Sequence, residues 1–523
     1  MVITEILARN GRMYADEEAL IEREMVLNTK RAITWKAFDA TANRVANALI
    51  SKGIQKGDKV IFLMVNCLEW LPIYFGILRT GAWAVPLNFR FTAKDIKYCI
   101  DIAEARAVIF GEEFIDRVNA VKGDLTSTRS FFYVGPGDKR PAYAEQYEDL
   151  IEAVSADPPD IPIGLLDEAG LYFTSGTTGQ PKPILLTHRN LEAAGITENR
   201  HHNLTHEDNF LCIPPLYHTG SKMHWFGNLI VGGKMVIIRG VKPEYVLQVI
   251  SEEQVTVVLL MVPWAQDILI ALENNDVKLE DYSLDQWRIM YCGAQPIPPV
   301  LIENWKKHFP EQEYDTGYGL SESTGPGPIH LGIENTSKIG AIGLPGFDWE
   351  CRIVDDHLKD VPKGDVGELM LRGPGVMKEY YKNPEATAKT LVDGWLLTGD
   401  MARYDEEGFI WLVDRKKDVV ITGGENIFPV EIEEFLMENP KVQDAAVIGI
   451  PDERLGEIAA AVIKAKPGKQ ISEKEIVSFC EALPRYKRPR KIIFGDVPRN
   501  PTGKIEKPKL RNKYAGQAGD FRI

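Results

Sequence analysis

Apolar runs without a polar break alternate with amphipathic segments along the first part of the chain. "DKVIFLMV" (58–65) is one such run. Its unbroken apolar character is typical of a strand buried on both faces of a parallel sheet. "TWKAFDATANRVANALISKG" (34–53) places Phe38 and Ala42 on one helical face and ends at a glycine, Gly53, which predicts a helix with a C-terminal stop. Helices and strands in this alternation predict layered α/β sheets.

The pattern of apolar and polar residues changes near residue 345. "WECRIVDD" (349–356), "GELMLRG" (367–373) and "GFIWLVD" (408–414) are short alternating strands separated by turn residues, and they predict a small β subdomain. Beyond them, helices and strands indicate a small α+β domain of ordinary size. We therefore expect an α/β fold with a large N-terminal domain of several subdomains (1–413), a hinge (414–418) and a small C-terminal α+β domain (419–523).

Length, charge and cysteine usage narrow the class of protein. The chain has 523 residues, too many for one hydrophobic core, and a formal net charge of −14. This charge argues against nucleic acid as a main partner. The N-terminal stretch carries acidic residues and no long apolar run, so we expect no signal peptide, no membrane span and a cytoplasmic location. The six scattered cysteines, with no C-x-x-C pair, favour buried thiols over disulfides or a zinc site.

One loop concentrates glycine and hydroxyl residues. "YFTSGTTGQPKPILLTH" (172–188) can form a nest of backbone N–H groups that binds anions, or an ordinary surface turn. It is not a Walker loop, which needs G-x-x-x-x-G-K-[ST] at the start of a helix. Here the glycines are closer together, and the prolines on both sides of Lys182 favour an extended chain. We expect a hairpin-like loop between two short strands.

Seven further motifs follow this loop in a fixed order. They are "PPLYHTG", "YCGAQP", "YGLSE", "WLLTGD", "DRKKD", "GGENIFP" and "NPTGKIEK". Together with the loop, the set resembles the AMP-forming adenylate-forming superfamily (acyl-CoA synthetases, peptide-synthetase adenylation domains and luciferases), and most closely its acyl-CoA synthetases. The resemblance covers almost the whole chain.

The resemblance implies a reaction in two steps. A carboxylate attacks the α-phosphate of ATP and gives an acyl-adenylate and pyrophosphate, and the thiolate of coenzyme A then displaces AMP. It implies Mg²⁺ as the cofactor, with ATP, coenzyme A and a small-molecule carboxylate as partners. A homodimer stays open, as does the direction of the reaction in the cell.

The resemblance also implies an ATP site. The cradle for the β- and γ-phosphates would be Thr174, Ser175, Gly176, Thr177, Thr178 and Gly179, followed by Lys182. Pro183 stands where most members have glycine, which stiffens the exit from the loop. The adenine and nucleotide contacts would be Gly293, Ala294, Gln295, Pro296, Tyr318 and Gly319. Ser321 would bind the α-phosphate, and Glu322 would bind an ATP phosphate through a bridging Mg²⁺, since this hard cation takes carboxylate and phosphate oxygens together.

Residues near the C-terminus would complete both steps. By resemblance, Asp400 binds the ribose, Arg415 contacts the ribose or a phosphate, and Lys504 stabilises the charge that develops at the α-phosphorus. Lys417 matches the hinge of a small domain that rotates between the steps. Gly423, Gly424 and Glu425 would line the channel for coenzyme A. Considered one at a time, Asp400 is more often a turn residue, and Arg415 and Lys504 are more often solvent-exposed charges.

The acyl pocket is the part on which the sequence says least. We expect its lining from His218, Thr219, Gly220, Lys222, Leu260, Cys292, Gly317, Thr324 and Gly325. Many of these are small, which predicts an acid larger than acetate: a medium-chain fatty acid or an aromatic or alicyclic ring acid. If Lys222 points inward, it favours a second carboxylate, although a lysine usually reaches solvent.

Three other functions stay open on the same scaffold. The acyl group could be loaded onto a carrier protein, and the adenylate could be oxidised as in a luciferase. The chain could also be a catalytically inactive nucleotide-binding regulator, against which the presence of both Glu322 and Lys504 argues.

Overall fold

The computed structural model describes residues 1–174, 181–293, 297–330, 337–422, 425–452, 454–499 and 505–514. The chain forms two compact units. The first comprises Met1–Cys351 with Leu371–Leu396, and the second comprises Arg352–Met370 with Leu397–Ile523. The domain bounds predicted from sequence (1–413 and 419–523) and the hinge at 414–418 describe a C-terminal domain that rotates between the two reaction steps. They stay a prediction.

The strands are as follows, in chain order: β1 (Glu18–Glu24), β2 (Thr29–Thr34), β3 (Lys59–Leu63), β4 (Trp83–Pro86), β5 (Ala107–Gly111), β6 (Ser130–Val134), β7 (Glu145–Gln146), β8 (Glu168–Thr174), β9 (Lys182–Thr187), β10 (Asn209–Cys212), β11 (Lys234–Arg239), β12 (Val257–Met261), β13 (Ile289–Gly293), β14 (Glu313–Asp315), β15 (Gly317–Gly319), β16 (Pro326–Ile329), β17 (Leu344–Pro345), β18 (Glu350–Val354), β19 (Gly367–Arg372), β20 (Glu379–Tyr380), β21 (Leu391–Val392), β22 (Trp395–Tyr404), β23 (Ile410–Arg415), β24 (Val420–Thr422), β25 (Glu425–Ile427), β26 (Val442–Asp452), β27 (Gly456–Ala465) and β28 (Lys491–Phe494).

The α-helices are α1 (Ile3–Met13), α2 (Trp35–Ser51), α3 (Trp70–Arg79), α4 (Ala93–Ala103), α5 (Ile115–Asn119), α6 (Tyr147–Glu152), α7 (His188–His202), α8 (Thr219–Val231), α9 (Pro243–Glu252), α10 (Val262–Glu273), α11 (Pro299–His308), α12 (Pro384–Thr390), α13 (Pro429–Met437), α14 (Glu473–Phe479) and α15 (Lys507–Tyr514). Short 3-10 turns include Ser321–Ser323 and Lys416–Asp418.

Local signals explain where the predicted helix at 34–53 begins and ends. The hydroxyl of Thr34 accepts a hydrogen bond from Ala37 N and caps the start of α2. Gly53 follows the helix with φ of +82°, a conformation that glycine adopts without strain.

Two large sheets form the frame of the first unit. One has the order β14-β13-β12-β10-β11-β1-β2, and the other has the order β20-β9-β8-β4-β3-β5-β6-β7. In each, a central run of parallel strands is flanked by antiparallel strands: β2 in the first, β9 and β20 in the second. The prediction of layered α/β sheets is confirmed.

The largest hydrophobic core lies between these two sheets. It combines residues of both sheets with residues of α2, α3 and α8. Trp70 of α3 contacts Phe62 of β3 and Trp225 of α8 edge to face, with ring centroids 4.8 and 6.1 Å apart. Two further cores cover the outer faces, one with α9, α10 and α11 and the other with α4 and α5. Each large sheet is therefore buried on both faces, as its unbroken apolar strands predict.

Smaller sheets complete the two units. The strands β15, β16 and β17 form an antiparallel sheet, and a five-stranded sheet has the order β18-β19-β22-β21 with β23 paired to β22. The C-terminal sheet has the order β25-β24-β27-β26 with β28 alongside β27. Helices α13 and α14 cover one face of it, and α15 contributes Leu510 and Tyr514 to the core on the other. This part is the small α+β domain expected from sequence.

Two further features relate to the predictions of buried thiols and of no membrane span. All six cysteines are free thiols, and Cys351 is the one that is half-buried instead of buried. Within the described ranges, no helix combines the length and the apolar character that a membrane span requires.

Candidate active site

The structure describes some of the predicted site residues and not others. The following lie outside the described residues: Ser175, Gly176, Thr177, Thr178, Gly179, Ala294, Gln295, Pro296, Gly423, Gly424 and Lys504. Their roles in binding phosphate, adenine and coenzyme A and in catalysis stay predictions.

The two ends of the glycine/hydroxyl loop are held by a strand pair. β8 and β9 are antiparallel, and Thr174 lies directly opposite Lys182 in their register. The expected hairpin is therefore confirmed. The pairing places the first residue of the predicted phosphate cradle beside its lysine.

A tyrosine that the sequence did not single out connects Lys182 with Glu322. The hydroxyl of Tyr380 donates a hydrogen bond of 2.7 Å to Oε1 of Glu322. Nζ of Lys182 lies 5.2 Å from the centroid of the same ring. Tyr380 reaches this place because β20 pairs with β9, opposite Ile184. Sequence spacing carries no signal for this pairing, since the partners are almost two hundred positions apart.

The electrostatics of this group keep the phenol protonated. Burial, and then the charge of Glu322, raise the pKa of Tyr380 well above its usual range. A protonated phenol is a donor, so it fixes the orientation of the Glu322 carboxylate and occupies one of its oxygens. The backbone carbonyl of Glu322 is also held, by a 2.7 Å bond from Met377 N. The carboxylate is thus positioned by two contacts, and its oxygen donor chemistry fits Mg²⁺.

The start of α8 contacts the turn that carries Ser321. Oγ1 of Thr219 lies 3.2 Å from Oγ of Ser321, within hydrogen-bond distance. His218 is the N-cap of α8, and its Nδ1 accepts a 3.2 Å bond from Gly220 N. The predicted α-phosphate contact and the first predicted acyl-pocket residues therefore lie side by side.

The small residues of the predicted acyl pocket are closely packed against other parts of the first unit. A Cβ at Gly317 would collide with the Tyr291 hydroxyl, and a Cβ at Gly319 would collide with the carbonyl of Gly325. A Cβ at Gly325 would lie 2.8 Å from that of Ala194. These glycines allow close approach of the backbone, so their small size does not by itself indicate a large pocket.

Thr324 has an unusual conformation for a β-branched residue. Its φ is +63°, and its fully buried hydroxyl donates a 2.6 Å hydrogen bond to the carbonyl of Gly375. The bond supports a left-handed backbone that costs about 1–3 kcal/mol. The same bond occupies the hydroxyl proton of Thr324, a residue predicted to line the acyl pocket.

Strand alternation places two predicted pocket residues on the face away from α8. Leu260 and Cys292 are opposite each other in β12 and β13, and both belong to the core covered by α9, α10 and α11. Burial raises the pKa of the Cys292 thiol to about 12. Their neighbours Leu259 and Tyr291 lie on the face of α8 instead. A pocket beneath α8 would thus be lined by Leu259 and Tyr291, and the role predicted for the other two finds no support in this placement.

Lys222 does not reach solvent. Its side chain is 1% exposed, and its Nζ has no hydrogen-bond partner among the described residues. The ammonium lies 4.0 Å from the centroid of the Tyr172 ring, whose hydroxyl is bonded to that of Tyr74 at 2.8 Å. Burial lowers the pKa of Lys222 to about 7. It is an interior lysine whose charge is costly.

In the second unit, the two predicted ribose contacts are neighbours. Asp400 of β22 is opposite Arg415 of β23, with Oδ1 and Nε 3.3 Å apart. The carboxylate is buried, and Asp400 N donates a 3.1 Å bond to the Thr398 hydroxyl. Sequence reasoning therefore identified two residues that the fold brings together.

The predicted hinge residue lies between two anchored residues. Lys416 forms ion pairs with Asp356 and Glu368 at 2.8 and 3.0 Å, and Asp418 pairs with Arg511 at 2.7 Å. Lys417 itself is exposed, and partial desolvation lowers the pKa of its ammonium. Glu425, the described member of the predicted coenzyme A channel, is exposed at the start of β25.

Comparison with known proteins gives matches over nearly the whole chain. Residues 7–381 match the family described as AMP-binding enzyme, and residues 431–504 match its C-terminal domain. The long-chain-fatty-acid–CoA ligase FadD13 of Mycobacterium tuberculosis is 31% identical over 491 residues, which cover 93% of this chain and 94% of that protein.

Solved structures agree with this result. The anthranilate CoA ligase AuaEII in complex with anthranoyl-AMP has a TM-score of 0.86 at 28% identity, covering 99% of this chain and 98% of that one. The o-succinylbenzoate CoA synthetase MenE of Bacillus subtilis, in complex with ATP and a magnesium ion, has a TM-score of 0.83 at 25% identity, covering 97% and 99%.

Proposed function

The chain belongs to the AMP-binding enzyme family, and from this premise we propose that it is an ATP-dependent, AMP-forming carboxylate–CoA ligase that acts on a medium-chain fatty acid or a ring acid. The carboxylate forms a bond to the α-phosphorus of ATP as pyrophosphate leaves. The thiolate of coenzyme A then attacks the acyl carbon, and AMP leaves. Both steps are group transfers and neither needs an oxidant or a reductant.

The observation that carries the proposal is the contact between Tyr380 and Glu322, next to Lys182 and to Ser321. One tyrosine positions a carboxylate beside a cationic side chain at the end of a hairpin, and the hydroxyl of Ser321 directly precedes that carboxylate in sequence. Such a set of groups suits a triphosphate with its counter-ion, because phosphate oxygens accept from lysine and hydroxyl donors.

Glu322 would hold Mg²⁺ together with the phosphates. When bound, this ion would neutralise phosphate charge and draw electron density from phosphorus. Tyr380 keeps the carboxylate oriented, Ser321 donates to an α-phosphate oxygen, and Lys182 approaches the outer phosphates. Asp400, with Arg415 beside it, accepts the ribose hydroxyls, since two donors suit the two oxygens of a carboxylate.

The choice of acid rests on the relatives. The FadD13 relative is named for long-chain fatty acids, and the structural neighbours are named for anthranilate and o-succinylbenzoate. We extend this range of chain and ring acids to the present chain. We also place the enzyme in the cytoplasm, which supplies ATP and coenzyme A. Size-exclusion chromatography would distinguish a monomer from a homodimer.

A panel of acids tests the proposal. AMP release is measured with acetate, octanoate, benzoate, cyclohexanecarboxylate and a dicarboxylate, each with coenzyme A and, in parallel, with a phosphopantetheinyl carrier protein. We expect the highest kcat/KM with octanoate or a ring acid and thioester formation on coenzyme A. Preference for acetate would refute the substrate class, transfer to the carrier alone would refute the acceptor, and absence of carboxylate-dependent pyrophosphate exchange would refute the enzyme.

A further inference from the structure

Four ionisable side chains form a buried cluster apart from the residues assigned to the reaction. Glu198 and His202 belong to α7, His224 belongs to α8, and Asp315 ends β14. None is more than 4% exposed. Ionisable groups that are excluded from water are normally paired or bound to a metal ion. The contacts within the cluster distinguish these two cases.

Three of the four side chains converge on one point. Glu198 and His202 are four residues apart on α7 and share a face of the helix. Oε1 of Glu198 lies 3.5 Å from Nδ1 of His202 and contacts Nδ1 of His224. One ligand atom from each of the three lies within 4.8 Å of the other two. The two imidazole rings are parallel, with centroids 6.3 Å apart, so both present an edge to the carboxylate.

The converging atoms are not satisfied by hydrogen bonds. Both carboxylate oxygens of Glu198, Nδ1 of His202 and both ring nitrogens of His224 have no hydrogen-bond partner among the described residues. A buried polar group without a partner costs about 1–3 kcal/mol. Four of these atoms, the two oxygens of Glu198 and the Nδ1 atoms of His202 and His224, surround one point, where an additional group able to accept several lone pairs would satisfy them.

The opposite side of His202 is held by a carboxylate. Nε2 of His202 lies 2.7 Å from Oδ2 of Asp315, whose other oxygen accepts a 2.8 Å bond from Thr316 N. With its Nε2–H donated to Asp315, the ring directs the lone pair of Nδ1 towards Glu198 and His224. Histidines that bind metal ions are commonly oriented in this way by a carboxylate on the far nitrogen.

We propose that Glu198, His202 and His224 bind a divalent transition-metal cation, Zn²⁺ in the first instance. Two imidazoles and a carboxylate are nitrogen and oxygen donors of the kind that zinc takes, and three protein ligands are the number found in open zinc sites. Mg²⁺ and Ca²⁺ prefer oxygen ligands alone. A divalent cation also balances the two carboxylates of the cluster, with both imidazoles neutral.

The location of the site indicates what the cation does. The ring of Tyr291 packs on His224 and His202, with centroids 4.6 and 5.5 Å away. Its hydroxyl is in close contact with Gly317, where a Cβ would collide with it. The cation would thus join α7 to α8 directly behind the backbone of the predicted acyl pocket. It is a positioning site, distinct from the Mg²⁺ expected at Glu322.

The metal content of the untagged full-length chain tests the proposal. After expression in medium supplemented with Zn²⁺, we expect about one Zn²⁺ per chain by mass spectrometry. Expression with Co²⁺ should give visible absorption bands from nitrogen ligation, which added Zn²⁺ abolishes. The Glu198→Gln, His224→Gln double variant should lose both signals. His201→Gln is the matched control, because this half-buried histidine follows on the same helix and bonds Phe347 N instead.

A second measurement separates loss of metal from loss of fold. The wild-type chain is stripped with a strong chelator and its thermal midpoint is followed as cations are added back. Zn²⁺ should raise the midpoint, since a ligand that binds the native state stabilises it, and Mg²⁺ at the same concentration should not. A wild-type chain with no more Zn²⁺ than the double variant, or one that Zn²⁺ and Mg²⁺ stabilise equally, would overturn the proposal.

Discussion

Tyr380 lies between Lys182 and Glu322: its hydroxyl is 2.7 Å from Oε1 of the carboxylate, and its ring centroid is 5.2 Å from the ammonium. The three residues come from β20, β9 and a 3-10 turn, which are distant in sequence. The carboxylate thus has a neutral donor beside it, and the ammonium faces an aromatic ring. Tyr380 is therefore a positioning residue for the carboxylate that we expect to bind Mg²⁺.

We expect Tyr380→Phe to weaken metal-dependent adenylation. The variant keeps the ring beneath Lys182 and removes one hydrogen bond to a charged group, worth about 1.5–3 kcal/mol, so kcat/KM for ATP should fall about tenfold to a hundredfold. The Mg²⁺ concentration for half-maximal pyrophosphate exchange should rise. Tyr381→Phe is the control, since that ring contacts Trp83 and lysine side chains. An unchanged Mg²⁺ requirement would remove Tyr380 from the site.

Lys504→Ala should separate the two half-reactions. A point charge at the developing phosphorane acts only in the first step, so pyrophosphate exchange should fall by at least about a hundredfold. Thioester formation from supplied acyl-AMP should stay within about threefold of the wild type. Lys509→Ala is a suitable control, because this exposed lysine forms an ion pair with Glu506, three residues away. An equal loss of both half-reactions would point to misfolding and refute the assignment.

Lys417→Pro should have the opposite effect. Proline fixes φ, so a hinge at this residue would be held in one pose. The backbone bond across this turn runs from Val419 N to Arg415 O and does not use Lys417 N, so the substitution leaves that bond in place. We expect adenylation to persist and thioester formation to fall about tenfold or more. Lys417→Ala removes the side chain alone and should spare both steps; if it impairs the second step equally, the side chain and not the backbone is responsible.

More of the fold than of the site could be predicted from the sequence, because strands follow from local patterns, whereas the site is built by contacts between residues far apart in sequence. The apolar run at 58–65 is recognisable as a strand because the run is local, and it forms β3. A run that is apolar on both faces does not reveal which face α8 covers. The sequence therefore predicts Leu260 in the pocket, whereas Leu259 lies beneath that helix. Tyr380 enters through the pairing of two strands far apart in sequence, which no local pattern encodes.

The buried cluster behind Gly317 shows the same limit of local patterns. Glu198 and His202 are visible as a pair at helical spacing, yet His224 and Asp315 join them only through the packing of α7, α8 and β14. By contrast, Asp400 and Arg415 each lie in a motif that the sequence displays, and the pairing of β22 with β23 brings the two residues together.

Lys222 should make the stability of the first unit depend on pH. Its pKa is about 7 in the folded chain and near 10.5 in an unfolded one. Between these values the unfolded chain binds a proton that the folded chain does not, so stability rises with pH across this window. At and below pH 7 the folded state carries the full cost of the buried ammonium, of the order of a few kcal/mol.

We therefore expect Lys222→Met to stabilise the protein most near pH 6.5 and progressively less towards pH 9.5. Methionine has a similar length and no charge, so it removes the burial cost and keeps the packing. The measurement is the midpoint of urea unfolding of both proteins at several pH values. Lys94→Met, at an exposed position of α4, should show no such trend. If Lys222→Met instead destabilises the protein at pH 6.5, the ammonium has an anionic partner, and the acid panel should then favour a dicarboxylate that supplies it.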